Sequence, residues 1–199
     1  MSEKCSVQLS SECHGKQDEE IKNEKSYKEL CSEIESIILD RVYKKSIGDE
    51  KLPVNPIKLA NYYNVDIFEG DLELEPGVSG FMLIKKNGKA AVALSEDLSF
   101  AEKRLTLSHE LGHLLYEKNH SLEKDIADIY YSDRSKEQTD KEKAMDYFAR
   151  LILLPKNYFA KKYYEFKNDN VDVISKLNDF FVVPKEVISE RINELGLLI

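Results

Sequence analysis

The sequence is poor in cysteine, in long apolar runs and in net positive charge, and each shortage narrows what the chain can be. Its three cysteines, Cys5, Cys13 and Cys31, are odd in number and crowd toward one end. A small fold stapled by disulfides needs paired cysteines spread along the chain, so that class is set aside and free thiols in a reducing compartment are expected. No apolar run approaches the roughly 20 residues that a helix needs to cross a bilayer. The opening stretch MSEKCSVQLSSECHGKQDEE holds no apolar core behind its lysine, as a secretory signal would. The expectation is a cytoplasmic protein with no membrane partner. The formal net charge is -8. Nucleic-acid binders draw most of their affinity from Lys and Arg on phosphates, so direct DNA binding is not expected.

What is present is ordinary for a globular protein: 199 residues, 42% hydrophobic and 33% charged. That length can bury a core without help from disulfides or a structural metal, which leaves any metal site free for chemistry. Three stretches are expected. Residues 1–24 are polar and charged and read as a mobile tail. Residues 25–155 carry the periodic patterns of a folded unit, and residues 156–199 read as a helical C-terminal subdomain.

Within the folded unit, Leu30, Ile34, Ile37, Ile38 and Val42 recur at helical spacing and predict a helix from about Lys25 to Lys45. A short helix with Ile57, Leu59, Ala60 and Tyr63 on one stripe follows Pro53 and Pro56, and then a strand over Asn64–Phe68. Phe81–Lys85 and Ala90–Leu94 read as a hairpin, with Asn87-Gly88 predicting a type I′ turn. Ser99 and Glu102 form a capping box that opens the next helix. The polar stretch Asn119–Gln138 reads as a loop. Thr139 opens another helix, which Pro155 ends.

The helix after Ser99 contains His109-Glu110-Leu111-Gly112-His113, the pattern H-E-x-x-H. Residues four apart on a helix lie one above the other, so His109 and His113 can share one ion. Zinc suits two neutral imidazoles and keeps a coordination position for water. Glu110 lies to the side, where it can take the water's proton and pass it to a leaving amine. Leu107, Leu111, Leu114 and Leu115 form a separate apolar stripe, so the histidines are expected to face a cleft.

A catalytic zinc needs a third protein ligand. The pattern H-E-x-x-H-x-x-G-x-x-H fails here, because Tyr116 replaces its glycine, Asn119 its histidine, and His120 is one residue out of register. Glu142 and Asp146, four apart on the later helix, are the other candidates: Glu142 as ligand, Asp146 as partner of a ligand imidazole. Thr139-Asp140-Lys141-Glu142 is equally a capping box, and spacing alone leaves both readings of Glu142 open.

The run from Arg104 through His113 to Leu115, followed by Glu142 through Asp146, Phe148 and Ala149 to Pro155, resembles the ImmA/IrrE family of zinc metallopeptidases. Their pattern is R-x-T-x-A-H-E-L-G-H-x-x-x-H, then E-x-E-A-N/D-x-F-A-x-x-L-L-x-P. The resemblance spans roughly Pro53 to Pro155. It departs where the second glutamate is Ala144, the alanine is Met145, and Glu117 stands where a histidine is common. It implies an α+β fold: a small twisted mixed or antiparallel sheet packed with helices, the metal between the two motif helices, and a helical C-terminal extension. It implies Zn2+ on His109, His113 and Glu142, with Glu110 catalytic and Asp146 behind a ligand. It further implies a regulatory endopeptidase that cuts a helix-turn-helix repressor of a bacterial mobile element or stress regulon. The alternative is a repressor-binding, anti-repressor module that keeps the fold without cutting.

Further features stay open at this stage. The strand after Gly80 is either a site for an extended substrate to add by backbone pairing or a plain core hairpin. Tyr116, Tyr130, Tyr131, Tyr147 and Arg150 are candidates to stabilise an oxyanion. Val173–Phe181 and Pro184–Leu195 look like a helix-turn-helix, but Glu186, Glu190 and Glu194 outnumber Lys185 and Arg191, which favours packing or substrate docking over DNA reading.

Overall fold

A computed structural model describes residues 25–71, 78–85, 87–120, 130–133, 139–168 and 172–197. The expected tail, 1–24, lies outside the described residues. Helix α1 (Tyr27–Ile38) begins at a capping box in which Ser26 and Glu29 satisfy each other's backbone donors, and it buries Leu30, Ile34, Ile37 and Ile38. It runs on into a wider π-helical turn, Leu39–Tyr43, that buries Val42, so the helix expected over 25–45 is present. Asn55 caps α2 (Pro56–Tyr62) by accepting from Ile57 N–H and Lys58 N–H, and Pro56 fills the first helical position, where its missing N–H costs nothing.

Four strands form one mixed sheet in the order β1-β3-β2-β4: β1 (Val65–Gly70), β2 (Val78–Ile84), β3 (Ala90–Ser95) and β4 (Tyr130–Asp133). β1 runs parallel to β3, and β2 pairs antiparallel with both β3 and β4. The α+β expectation holds. Two local expectations do not. The hairpin turn is not type I′: Gly88 N–H donates to Lys85 O and Lys85 N–H to Lys89 O, both at 2.8 Å. Gly88 has φ +77°, and Asn87 is not among the positive-φ residues. The turn is closed by a left-handed Gly88, which an Asn-Gly pair serves equally well. The second correction is β4, which falls in the stretch read as loop. It is four residues long and docks by backbone pairing, Phe81 opposite Tyr131 and Met82 opposite Tyr130, so it leaves no side-chain pattern to read.

β3 pairs along one side of β2 and β4 along part of the other, at Val78, Phe81 and Met82, so the strand after Gly80 is an inner strand at those positions rather than open to a substrate strand. Gly80 itself is required by packing: a Cβ there would lie 2.7 Å from Ala93 O and 3.0 Å from Thr106 Cγ2. That closeness seats α3 (Phe100–Asn119) against the sheet. The Ser99–Glu102 capping box fixes where α3 starts. α4 (Asp140–Leu153) packs on α1 and α3.

Beyond Pro155 come α5 (Lys156–Lys167), α6 (Val173–Phe181) and α7 (Lys185–Glu194). Val182, at φ +53°, turns the chain between α6 and α7. Leu177, Phe181, Ile188 and Ile192 belong to the same buried cluster as Ile34 and Phe148. Three arginines reinforce this contact. Arg104 Nη1 of α3 donates to Phe181 O at 2.6 Å and Val182 O at 3.2 Å. Arg150 of α4 donates to Glu190 at 3.0 Å and Glu194 at 2.8 Å. Arg191, 4% exposed, donates to Leu154 O at 3.0 Å and Glu194 at 2.9 Å. Arg191 is therefore committed inward, and Lys185 donates to Ser175 Oγ at 2.7 Å.

Candidate metal centre

The two histidines of α3 and the two carboxylates of α4 meet between the helices. His109 Nε2 lies 3.1 Å from His113 Nε2 and 3.1 Å from Glu142 Oε2, and His113 Nε2 lies 3.4 Å from the same oxygen. Asp146 Oδ1 is 2.8 Å from His109 Nδ1. Among the described residues, His109, His113 and Glu142 form a group whose ligand atoms all lie close enough together to hold one metal ion. The spacing fits zinc. Ligands about 2.05 Å from a tetrahedral ion stand roughly 3.3 Å from one another. The donor set, two imidazoles and one carboxylate, is one that zinc accepts, and the Asp146 contact leaves His109 Nε2 for the ion.

Helix spacing makes this approach possible. A Cβ on Gly112 would lie 3.1 Å from the Phe148 ring and 3.2 Å from Met145 Sδ. Glycine in a helix interior costs about 1 kcal/mol against alanine, so its place between the histidines marks a packing need. A glycine inside a helical pattern is the sequence signal of this contact. The two readings of Glu142 also part here. Its backbone N–H donates to Thr139 Oγ1 at 3.2 Å, as a helix cap requires, while its carboxylate reaches His109.

The electrostatics describe a site holding one positive charge. Burial pushes the His109 imidazolium down, but hydrogen bonds to Asp146 and Glu142 outweigh it and carry its pKa up to about 10. Burial takes His113 down to about 4. For Glu142, burial raises the carboxyl, yet its hydrogen bonds with His109 and His113 prevail and hold it well below the usual carboxylate range. Without metal, a proton on His109 stands among the donors that a cation would take. Glu110 is wholly buried, and its charge also helps hold that proton.

The expected open cleft is not what the helix presents. Every residue from Leu105 to Leu115 is buried, with His109, Glu110 and His113 exposed by only 3%, 0% and 0%. The physical reason is α4, which lies over the face that a helical wheel leaves polar. Glu142 and Asp146 keep the site's exposure, at 26% and 22% of their side chains. Ala144, at the position of the family pattern's second glutamate, is fully buried in the core. His120 sits past the end of α3 and pairs with Glu33 at 2.8 Å. Glu117 pairs with Lys141 at 2.8 Å. Of the oxyanion candidates, Tyr147 donates to Glu35 at 2.6 Å, Arg150 is held by α7, and Tyr116 stacks on His120 with ring centres 4.2 Å apart. The side chains of Tyr130 and Tyr131 lie outside the description. The ties of Arg104 and Arg150 to the C-terminal helices were not anticipated.

A helix bearing H-E-x-x-H, crossed by a second that brings a glutamate to the same point, defines a metallopeptidase-like domain. The chain belongs to the Peptidase_M78 family, described as the IrrE N-terminal-like domain, whose profile matches residues 60–193. That match begins inside α2 and ends inside α7. Among solved structures, a Mycobacterium tuberculosis transcriptional regulator shares the fold, with a TM-score of 0.52 and 15% identity over 83% of this chain and 46% of that one. The chain thus spans under half the length of that protein. No curated protein matches. Among the described residues, no helix is long and apolar enough to cross a membrane.

Proposed function

We propose that the chain is a cytoplasmic zinc endopeptidase that uses His109, His113 and Glu142 as metal ligands and Glu110 as its general base and acid. The observation that carries this reading is the triangle of donor atoms at 3.1, 3.1 and 3.4 Å between α3 and α4. Zinc, when bound, supplies Lewis acidity to a carbonyl and to a water. The chain does the rest. Asp146 holds His109 by its Nδ1 and fixes which ring nitrogen faces the ion. Glu110 accepts the water's proton on a carboxylate oxygen and later delivers it to the departing amine. In this reading residues 25–155 are the peptidase unit and residues 156–199 a helical extension that packs against it or docks substrate.

The proposed substrate is a helix-turn-helix repressor of a bacterial mobile element or stress regulon. It rests on membership of the family and on the resemblance of the two motifs. One observation favours a second reading, a repressor-binding module that does not cut: the near-complete burial of His109 and His113. The two are separated by measuring bound zinc and then cleavage of candidate repressors, with Glu110→Gln as control. The peptidase reading expects about one zinc per chain in both proteins and a loss of cleavage of about a hundredfold or more in the variant. Equal behaviour of the two proteins toward a bound repressor would favour the module.

A further inference from the structure

The side of α3 turned away from the histidines borders a cleft that the peptidase reading does not use. At about 100° per residue, Phe100, Lys103, Arg104 and Leu107 share one face, and His109 and His113 lie on the opposite one. The cleft has a volume of about 340 Å³ and is closed by Ile57 of α2 and by Ile67 and Glu69 of β1. That is within the range of small-ligand sites, roughly 300–1,000 Å³. Its walls are mainly aliphatic and aromatic. Ile57 and Phe100 stand 48% and 64% exposed, an apolar cost that a ligand would remove.

The polar groups in this cleft do not balance. Lys103 pairs with Glu69 at 2.8 Å, which cancels both charges. Arg104 has no carboxylate partner among the described residues. Its Nη1 serves the carbonyls of Phe181 and Val182, while Nε and Nη2 have no acceptor among the described residues. Its guanidinium is partly withdrawn from water, and burial alone lowers its pKa. A half-buried guanidinium with donors to spare, beside an apolar volume, calls for an anion carried on a hydrocarbon body.

We propose that this cleft binds a small amphipathic monocarboxylate, its head on Arg104 and its apolar body between Ile57, Ile67, Phe100 and Leu107. The shape and charge exclude the neutral analogue as an equal ligand, because an alcohol leaves the guanidinium without its counter-ion. The site is independent of the metal, so the proposal stands or falls apart from the peptidase reading.

Octanoate and 1-octanol, each below its aggregation limit, are titrated into the full chain and followed by calorimetry and by NMR. The expected result is saturable binding of one octanoate with Kd below about 1 mM, and at least about tenfold weaker binding of 1-octanol. Phe100→Glu places an acid in the first turn of α3, where a helix tolerates it, and should weaken octanoate by about tenfold or more. Arg104→Gln should abolish the preference for the acid. If Arg104→Gln does not fold, Phe100→Glu decides alone. Absence of saturable binding, equal affinity for alcohol and acid, or an unchanged octanoate affinity in Phe100→Glu would overturn the proposal.

Discussion

The α3–α4 pair and the α6–α7 pair are both two helices packed through apolar side chains, yet they place their polar groups in opposite ways. Between α3 and α4, His109, His113, Glu142 and Asp146 converge on a space a few ångströms wide. In α6–α7, Arg191, Glu190 and Glu194 reach out to other elements, and only Lys185 crosses from one helix to the other. Arg191 turns to Leu154 O, Glu190 and Glu194 take Arg150, and Lys185 takes Ser175. Convergent buried polar groups make a candidate site, because one shared ion could engage several of them at once. Divergent ones make a joint. The difference teaches that the helix-turn-helix shape at the C-terminal end is not by itself a reason to look for DNA there.

Three measurements can break or sharpen this contrast. The largest effect belongs to the joint. Arg191→Ala removes a 4%-exposed guanidinium from Leu154 O and Glu194. It should cost about 2–4 kcal/mol in denaturant unfolding. A cost near zero would mean that Arg191 adds nothing to the hold already given by the apolar face and by Arg104 and Arg150. Next comes the site. Asp146→Asn keeps the shape but loses the charge behind His109, and zinc affinity in a chelator competition should fall about 10–100-fold. An unchanged affinity would remove Asp146 from the metal centre.

The smallest effect is a pH dependence of the metal-free protein. His109 is held at about 10 against an ordinary 6.5, so its contribution to stability is complete below pH 6.5 and is lost as pH climbs toward 10. Melting temperature without metal should therefore drop by roughly a few degrees between pH 7 and 9. With zinc in place of the proton, that part of the slope should vanish. Equal slopes with and without zinc would show that the proton and the ion do not compete for one place.

How much of this could be read beforehand depended on whether a feature writes itself into local spacing. The helix around His109 and the cap at Ser99 did, because both rest on contacts three and four residues apart. So did α6 and α7, whose ends match the expected turn closely. The strand β4 did not, because four residues paired through their backbone carry no period. From spacing alone Glu142 was an ambiguity, since the same residue type serves a cap and a ligand; the family resemblance pointed to the ligand, and the direction of its carboxylate agrees. The enclosure of His109 and His113 was invisible for a different reason. A helical wheel shows which residues share a face but not that another helix will cover it. Arg104 stands within the first motif, yet its partners lie 77 and 78 residues away, beyond any local rule.

Gly112 carries a consequence for how the two motif helices are measured against each other. With no side chain of its own, it lets the Phe148 ring settle directly on the backbone of α3. An added methyl would require Phe148 and Met145 to give by a few tenths of an ångström. The distances in a zinc site hold to about 0.2 Å, the same scale. The proposed ion would therefore act as a caliper of the gap between α3 and α4, and drift in that gap would be felt in ion retention as well as in the melting curve.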